Sequence, residues 1–394
     1  MSISATREAM TESVAARSVT EAVGTRVRLA FIDNLRWTMI LLVISMHAAD
    51  TYSPLGNWYY VDRSPLSTPV LLTFAAWQTY LQSFFMGLLF FVAGVFVPAS
   101  FDKKGPRLFL RDRAFRLGMP VLLYTFAVGP FTEYFVSHSW TASDSTFARE
   151  WWIHLIDGEF LGMNGPLWFC LALLIFSTVY AALRMWRGAT PPAPESDAPP
   201  GTAALVCMAF AIAGAGFALR VVLPSGLTIM NMHVSDFSQY IALFIAGIVV
   251  ARHGWLPKLS FALGMRWLLI VLPIGFAAWL ALFASRSSTD RWHWQAAGFA
   301  VWESFTGVAL SFGLLVLYRE RFNTQGRLAR YLSDNAFAVY VFHPPIVIMG
   351  ARIMHGTTWP PLVKFVLLTV FAVVVTFALS SAAFRRIPLL RAIV

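Results

Sequence analysis

Long apolar runs dominate this chain and leave it few possible architectures. Most are roughly 17–25 residues, enough to cross about 30 Å of hydrocarbon at 1.5 Å per residue. Spans are expected at Ala30–Ala49, Leu72–Ala99, Leu117–Val136, Gly165–Met185, Ala203–Leu223, Phe237–Val250, Trp267–Ser285, Ala296–Tyr318, Ala336–Ile353 and Leu362–Phe384. A β-barrel would alternate over about ten residues instead. Hydrophobic residues make up 58% of the 394 and charged ones only 13%, about half the charge of a soluble domain. The expected fold is an all-α polytopic membrane protein of about ten transmembrane helices. Phe237–Val250 is short for a span, and His343-Pro344-Pro345 interrupts Ala336–Ile353. Proline removes a backbone donor, so a kink is expected there.

Charge sorts by membrane side. The N-terminus, the C-terminus and the connections 2–3, 4–5, 6–7 and 8–9 hold 22 of the 30 Lys and Arg residues, and the other connections hold five. Arg36, Arg220 and Lys364 sit in or at the edges of spans. Positive residues stay inside, so both termini are expected to be cytoplasmic. That asymmetry accounts for the formal charge of +10, and no nucleic-acid partner is needed to explain it. Residues 1–28 form a polar cytoplasmic segment without a cleavable signal pattern, which makes the first span a retained anchor. Residues 29–384 form the membrane domain, 188–201 a Pro-rich cytoplasmic linker, and 385–394 a cytoplasmic tail. Two cysteines, Cys170 and Cys207, fall within spans and argue against a disulfide scaffold or a metal site.

Ionisable groups inside a bilayer are costly and so draw attention to themselves. The first span carries Asp33, Arg36 and His47. At 100° per residue Arg36 and His47 lie about 20° apart on the helix wheel, and Asp33 about 60° from Arg36. One face would therefore hold a cation near the cytoplasm and an imidazole about 16 Å further out. The simpler alternative is a headgroup ion pair at one end and a capping histidine at the other. In the 2–3 connection Arg107 and Arg111 share one helical face, and Arg113 and Arg116 share a roughly opposite one. The first pair reads as lipid-facing. The second reads equally as lipid-facing or as an inward anion site, for which the planar guanidinium fork is suited.

Glu133 and Glu303 are carboxylates in apolar surroundings. Each could orient an imidazole, pair with an arginine or lie in a wet cavity. His343 either satisfies carbonyls freed by the prolines or takes part in chemistry. The outer connections are aromatic (Trp58-Tyr-Tyr60, Trp140, Trp151-Trp152, Trp292-His-Trp294). For any one residue an interfacial belt is the simpler reading, with stacking on sugar rings as the alternative.

These residues resemble the acyltransferase-3 membrane O-acyltransferases, and within them the glucan biosynthesis protein C group. Arg28-Leu-Ala-Phe-Ile-Asp-Asn-Leu-Arg36 followed after ten residues by His47 is similar to the family's Arg-x10-His motif. Phe84-Phe-Met-Gly-Leu-Leu-Phe-Phe-Val-Ala-Gly94 resembles its second helix, with Ala93 where serine is usual. Arg113-Ala-Phe-Arg116 with Pro120 resembles its Arg-x-x-Arg-and-proline stretch. Gly165-Pro-Leu-Trp-Phe169 and Leu332-Ser-Asp-Asn-Ala-Phe-Ala-Val-Tyr340 with His343 resemble later signatures.

The resemblance implies transfer of an acyl group, succinyl or similar, from cytoplasmic acyl-CoA (succinyl-CoA or acetyl-CoA) to a hydroxyl of a periplasmic or cell-surface glycan. The setting it implies is a bacterial inner membrane, with the lipid bilayer as surroundings, no metal, and a homodimer left open. Arg113 and Arg116 with Arg36 would hold the donor's phosphates. The pantetheine arm would run along the face of the first helix to His47, acting as general base or as an acyl-histidine nucleophile. Glu303 is the carboxylate expected to orient that imidazole. A transporter or flippase of a glycan or lipid-linked intermediate would also use intramembrane charge. It gives no reason for a phosphate grip in line with a histidine. The separate MBOAT class of membrane acyltransferase fits the basic motifs less well.

Overall fold

A computed structural model describes residues 29–56, 58–62, 64–138, 146–158, 162–188, 198–223, 227–285, 293–384, 386–387 and 390. Residues 1–28 with their arginines, Trp140, Trp292, most of the Pro-rich linker and most of the tail lie outside the described residues. The fold is an all-α bundle with one two-stranded hairpin. In chain order the main helices are α1 (Ala30–Tyr52), α2 (Thr68–Arg113), α3 (residues 114–138), α4 (Phe147–Ile156), α5 (Trp168–Arg187) and α6 (Thr202–Val222). They continue with α7 (Phe237–Arg252), α8 (Phe261–Ala284), α9 (Trp294–Arg321), α10 (Arg327–Ile353) and α11 (Pro361–Leu379).

Among the described residues eight helices are long and apolar enough to cross a membrane, and the chain is a multi-pass membrane protein. One of the eight, Thr68–Val136, has 69 residues. Straight, it would measure about 100 Å, more than three hydrocarbon thicknesses. It kinks at Gly105, whose φ of 70° and ψ of 167° are non-helical. Pro106 drives the preceding residue out of the helical region, and glycine accepts the positive φ. Beyond the kink α3 alternates π and α turns around Pro120 and Pro130, as expected where proline deletes helical hydrogen bonds.

α1 is not among the eight, yet it is deeply enclosed, packing against α2, α9, α10 and α11. Apolar side chains of α8 and α11 point outward instead, including Leu269, Ile274, Val370 and Val374, which suits lipid contact. α2 packs most extensively on α7. A Cβ at Gly94 would collide with the Phe244 carbonyl, and one at Gly247 with the Phe91 carbonyl, so the crossing requires glycine on both helices. That accounts for the glycine ending the Phe84–Gly94 motif.

α10 runs unbroken through Pro344 and Pro345. Pro344 cannot donate to the Tyr340 carbonyl, and His343 Nδ1 takes that carbonyl at 2.8 Å. The expected interruption is thereby bridged.

Candidate active site

One half of the bundle holds a partly open cavity of about 1030 Å³. Val43, Met46, His47 and Asp50 line it from α1, and Gln78, Gln82, Phe85 and Met86 from α2. Trp58 and Tyr59 contribute from the loop between α1 and α2, with Trp279 and Phe299 from α8 and α9. His47 thus faces a cavity and not lipid.

Asp50 lies one helical turn beyond His47, and its Oδ2 is 3.2 Å from His47 Nδ1. A carboxylate can only accept, so Nδ1 carries a proton, and in the neutral tautomer this selects Nε2 keeps its lone pair. Gln78 donates to the other carboxylate oxygen at 2.7 Å, which satisfies a side chain only 7% exposed. That loop crosses directly over Asp50: a Cβ at Gly56 would fall 2.5 Å from Asp50 Oδ1. Trp58 stacks on the His47 ring at 3.8 Å and 14°, and His343 stacks on it at 5.3 Å and 14°. Among the described residues Trp58 Nε1, Gln78 Oε1 and His343 Nε2 are buried atoms without a hydrogen-bond partner. The first two belong to cavity-lining side chains.

The loop that delivers Trp58 is anchored on its C-terminal side. Asp62 pairs with buried Lys364 at 3.1 Å and accepts from Ser64 at 2.7 Å. Burial draws the Asp62 carboxyl upward, but these hydrogen bonds and the Lys364 charge outweigh it and hold it below its usual range. Tyr60 meets His355 Nδ1 at 2.7 Å beneath the Arg352 guanidinium. Tyr59 meets Tyr124 at 3.3 Å, and burial pushes the Tyr59 phenol up to about 12, so it stays protonated. On another side a hairpin with positive φ at Met230 and Asn231 brings Asn231 and His233 to the wall. It is stitched to the start of α5 by Asn231 donating to Gly165 and Asn164 donating to Met230.

Glu303 is not brought to His47. It pairs with Arg220, which also lies 3.8 Å from Asp236, and Gln82 donates to Asp236 at 3.0 Å. The carboxylate against the imidazole is Asp50. Glu133 lines the cavity. At the other end of α1, Arg36 lies 3.7 Å from Asp33 and over the Phe96 ring. Half-buried Arg113 is within electrostatic reach of both Arg36 and Arg116, and those two are exposed, as are Arg107 and Arg111. No arginine is among the described residues lining the cavity. The cavity reaches Val43 on α1 but its described lining does not include Met39, Ile40 or Arg36, and Met39 and Ile40 are packed into the core.

Residues 29–381 match an acyltransferase domain. The chain belongs to the acyltransferase-3 family. No curated protein matches it, so the narrower likeness to the glucan biosynthesis protein C group rests on the motifs alone. Of the groups gathered round His47, sequence reasoning missed Asp50 and Gln78 and read Trp58 only as a belt or sugar-stacking aromatic. Asp50 had a usable signal, its i+3 spacing from His47, but the expected span stopped at Ala49, one residue short. Gln78 and Trp58 had none beyond their polarity and aromaticity.

Removing the charge of Asp50 tests its orienting part. In Asp50→Asn the amide can present its NH2 to Nδ1, which shifts the imidazole to the wrong tautomer. Acyl transfer should fall by about 10²–10⁴, by analogy with triad aspartates, with an unchanged melting temperature. Turnover within threefold of wild type would remove Asp50 from that part.

Proposed function

We propose that this acyltransferase moves an acyl group from cytoplasmic acyl-CoA to a hydroxyl of an extracytoplasmic glycan, with His47 as general base, in a bacterial inner membrane with both termini cytoplasmic. The observation that carries the proposal is the His47–Asp50 pair, held by Gln78 and facing a cavity of about 1030 Å³. Proton transfer by a positioned imidazole needs a fixed tautomer and a free lone pair, and Nε2 has both.

The acceptor oxygen attacks the thioester carbonyl carbon as Nε2 takes the hydroxyl proton. The tetrahedral oxyanion collapses, the carbon–sulfur bond breaks, and the departing thiolate recovers that proton as CoA thiol, leaving an ester on the glycan. Trp58 supplies the oxyanion donor: its Nε1–H is buried without a partner, and its ring lies on His47. Preorganised donors of this kind lower the barrier most where water is excluded.

Arg36, Arg113 and Arg116 hold the donor's phosphates at the cytoplasmic end, where guanidinium forks bind phosphate in two-point fashion. Donor entry then requires the Met39–Ile40 region to open, since those side chains lie between Arg36 and Val43 on α1 and are packed into the core. Membership of an acyltransferase family disfavours the transporter alternative.

Purified protein in nanodiscs, supplied with acyl-CoA and a β-glucan oligosaccharide, tests the proposal by CoA thiol release and mass of the acylated sugar. His47→Ala should lose about 10²–10⁴ of turnover; undiminished transfer would end its role as base. Trp58→Phe keeps an aromatic ring but removes the donor, and kcat should fall by about 10²–10³ at constant donor affinity. A kcat equal to wild type would exclude Trp58 as oxyanion donor. Arg113→Ala should raise KM for acyl-CoA about tenfold or more with a smaller effect on kcat, and unchanged KM would take it out of the donor site.

A further inference from the structure

Met86 on α2, Trp168 on α5 and Asp236 just before α7 line the cavity. Sixteen residues further on, about 24 Å along a helix, the same three helices carry Asp102, Arg184 and Arg252, and there they meet again. Arg252 holds Asp102 at two points, Nη1 donating to Oδ2 at 2.8 Å and Nη2 to Oδ1 at 3.3 Å. Arg184 Nη2 donates to Asp102 Oδ1 at 3.2 Å. The Tyr180 hydroxyl accepts from Arg252 at 2.7 Å. Arg184 Nε is buried without a hydrogen-bond partner. Among the described residues the two guanidiniums make five hydrogen bonds, about half of what they can donate.

A guanidinium keeps its proton in proteins, so two of them facing one carboxylate leave at least one positive charge over, whatever the state of Asp102. The arginine side chains are only 15% and 20% exposed, whereas that of Asp102 is 42% exposed. The anion is thus the open member of the group. Carboxylate and phosphate take the same parallel pair of N–H bonds from a guanidinium, so forks that fit Asp102 also fit phosphate. A phosphate monoester brings three acceptor oxygens and about −1.5 to −2 charges at neutral pH, enough to match both cations. Aromatic rings connect this pair to the arginines of the proposed donor site. Arg113 lies 5.2 Å over Phe109, Phe109 meets Phe101 at 5.5 Å, and Arg184 lies 5.5 Å over Phe101, which keeps the Arg113 and Arg184 guanidiniums within about 16 Å.

We infer that Arg184 and Arg252 form a second phosphate seat, separate from Arg36, Arg113 and Arg116, which takes a phosphate monoester in place of Asp102. Two sources carry that group: the ribose 3′-phosphate of coenzyme A and the headgroup of phosphatidic acid. The first source rests on the acyl-CoA reading above. CoA carries its diphosphate and its monoester on one ribose, so a donor with the diphosphate at Arg113 brings the monoester towards the neighbouring seat. The second source needs only the bilayer.

Coenzyme A and dephospho-coenzyme A differ by the monoester alone, so their affinities isolate the seat. In phosphatidylcholine nanodiscs, calorimetric titration of the full-length protein should give CoA a Kd about tenfold or more below that of dephospho-CoA, the size expected of charge-assisted hydrogen bonds to one phosphate. Arg184→Ala and Arg252→Ala should each bring the ratio towards one, and Asp102→Asn, which removes the resident anion, should widen it. A ratio within one preparation does not depend on how much of a variant folds. In nanodiscs doped with phosphatidic acid, native mass spectrometry reads the other source: wild type should retain that lipid, and both arginine variants should lose it, if the headgroup fills the seat. A CoA preference or a lipid retention that the arginine variants abolish supports the seat and names its source. A Kd ratio near one, together with lipid retention that Arg184→Ala and Arg252→Ala leave unchanged, overturns it, even where CoA binds and the donor reading stands. Arginine-dependent lipid retention without binding of either CoA form leaves the seat intact and removes the acyl-CoA reading instead.

Discussion

An imidazole and a carboxylate that touch each other must be kept out of hydrocarbon, and the arrangement of the bundle follows from that need. Charge at membrane depth costs several kcal/mol or more unless it is enclosed or paired. α1 carries Asp33, Arg36, His47 and Asp50, and fourteen of its residues are buried, because four other helices wrap it. The strongly apolar α8 and α11 can be left on the periphery, where their leucine, isoleucine and valine side chains face lipid at no cost.

Enclosure alone would give a satisfied ion pair and no chemistry. Here the pair stands at the edge of a cavity, and three separate devices keep it so. Gln78 ties down the free oxygen of Asp50. Gly56 lets the loop between α1 and α2 lie against the carboxylate where any side chain would intrude. The loop itself is fastened by the Asp62–Lys364 pair, so that Trp58 is presented flat on the imidazole. His343, beside that ring, completes a helix: its Nδ1 covers the carbonyl that Pro344 leaves open. Pro344 thus sits beside the site in a continuous helix, its missing backbone donor replaced by a neighbouring side chain.

The two ends of α1 behave differently. The C-terminal end is preorganised around a cavity, whereas the N-terminal end has Arg36, Arg113 and Arg116 near a surface, with packed apolar residues between. A helical wheel places Arg36 and His47 on one face, and that alignment is real in three dimensions, but shared alignment does not open a path. Whether a line of residues borders a tunnel or a packed seam is decided by what lies opposite it. The same distinction explains Glu303. Its position deep in a span marks it as needing a partner, and the partner is whichever opposite charge the neighbouring helices supply. Here that is Arg220 of α6, not the imidazole of α1.

Sequence by itself determined the class of fold, the positions of the apolar helices and the placing of Arg36 and His47 on one stripe. These depend on hydropathy and on a 3.6-residue period, which act over a single turn or a single span. It also marked Arg113 and Arg116 as a pair and carried the family's motifs. Asp50 was within reach of the same local rule and was lost only because a polar residue ended the apolar window. Tertiary structure decided the rest: that Trp58 covers the imidazole, that Gln78 braces Asp50, that Gly94 and Gly247 meet, and that Asp236 comes to the same cavity as Asp50. Each of these is a contact between segments far apart in the chain, set by how helices cross, and no periodicity within one helix encodes its neighbour.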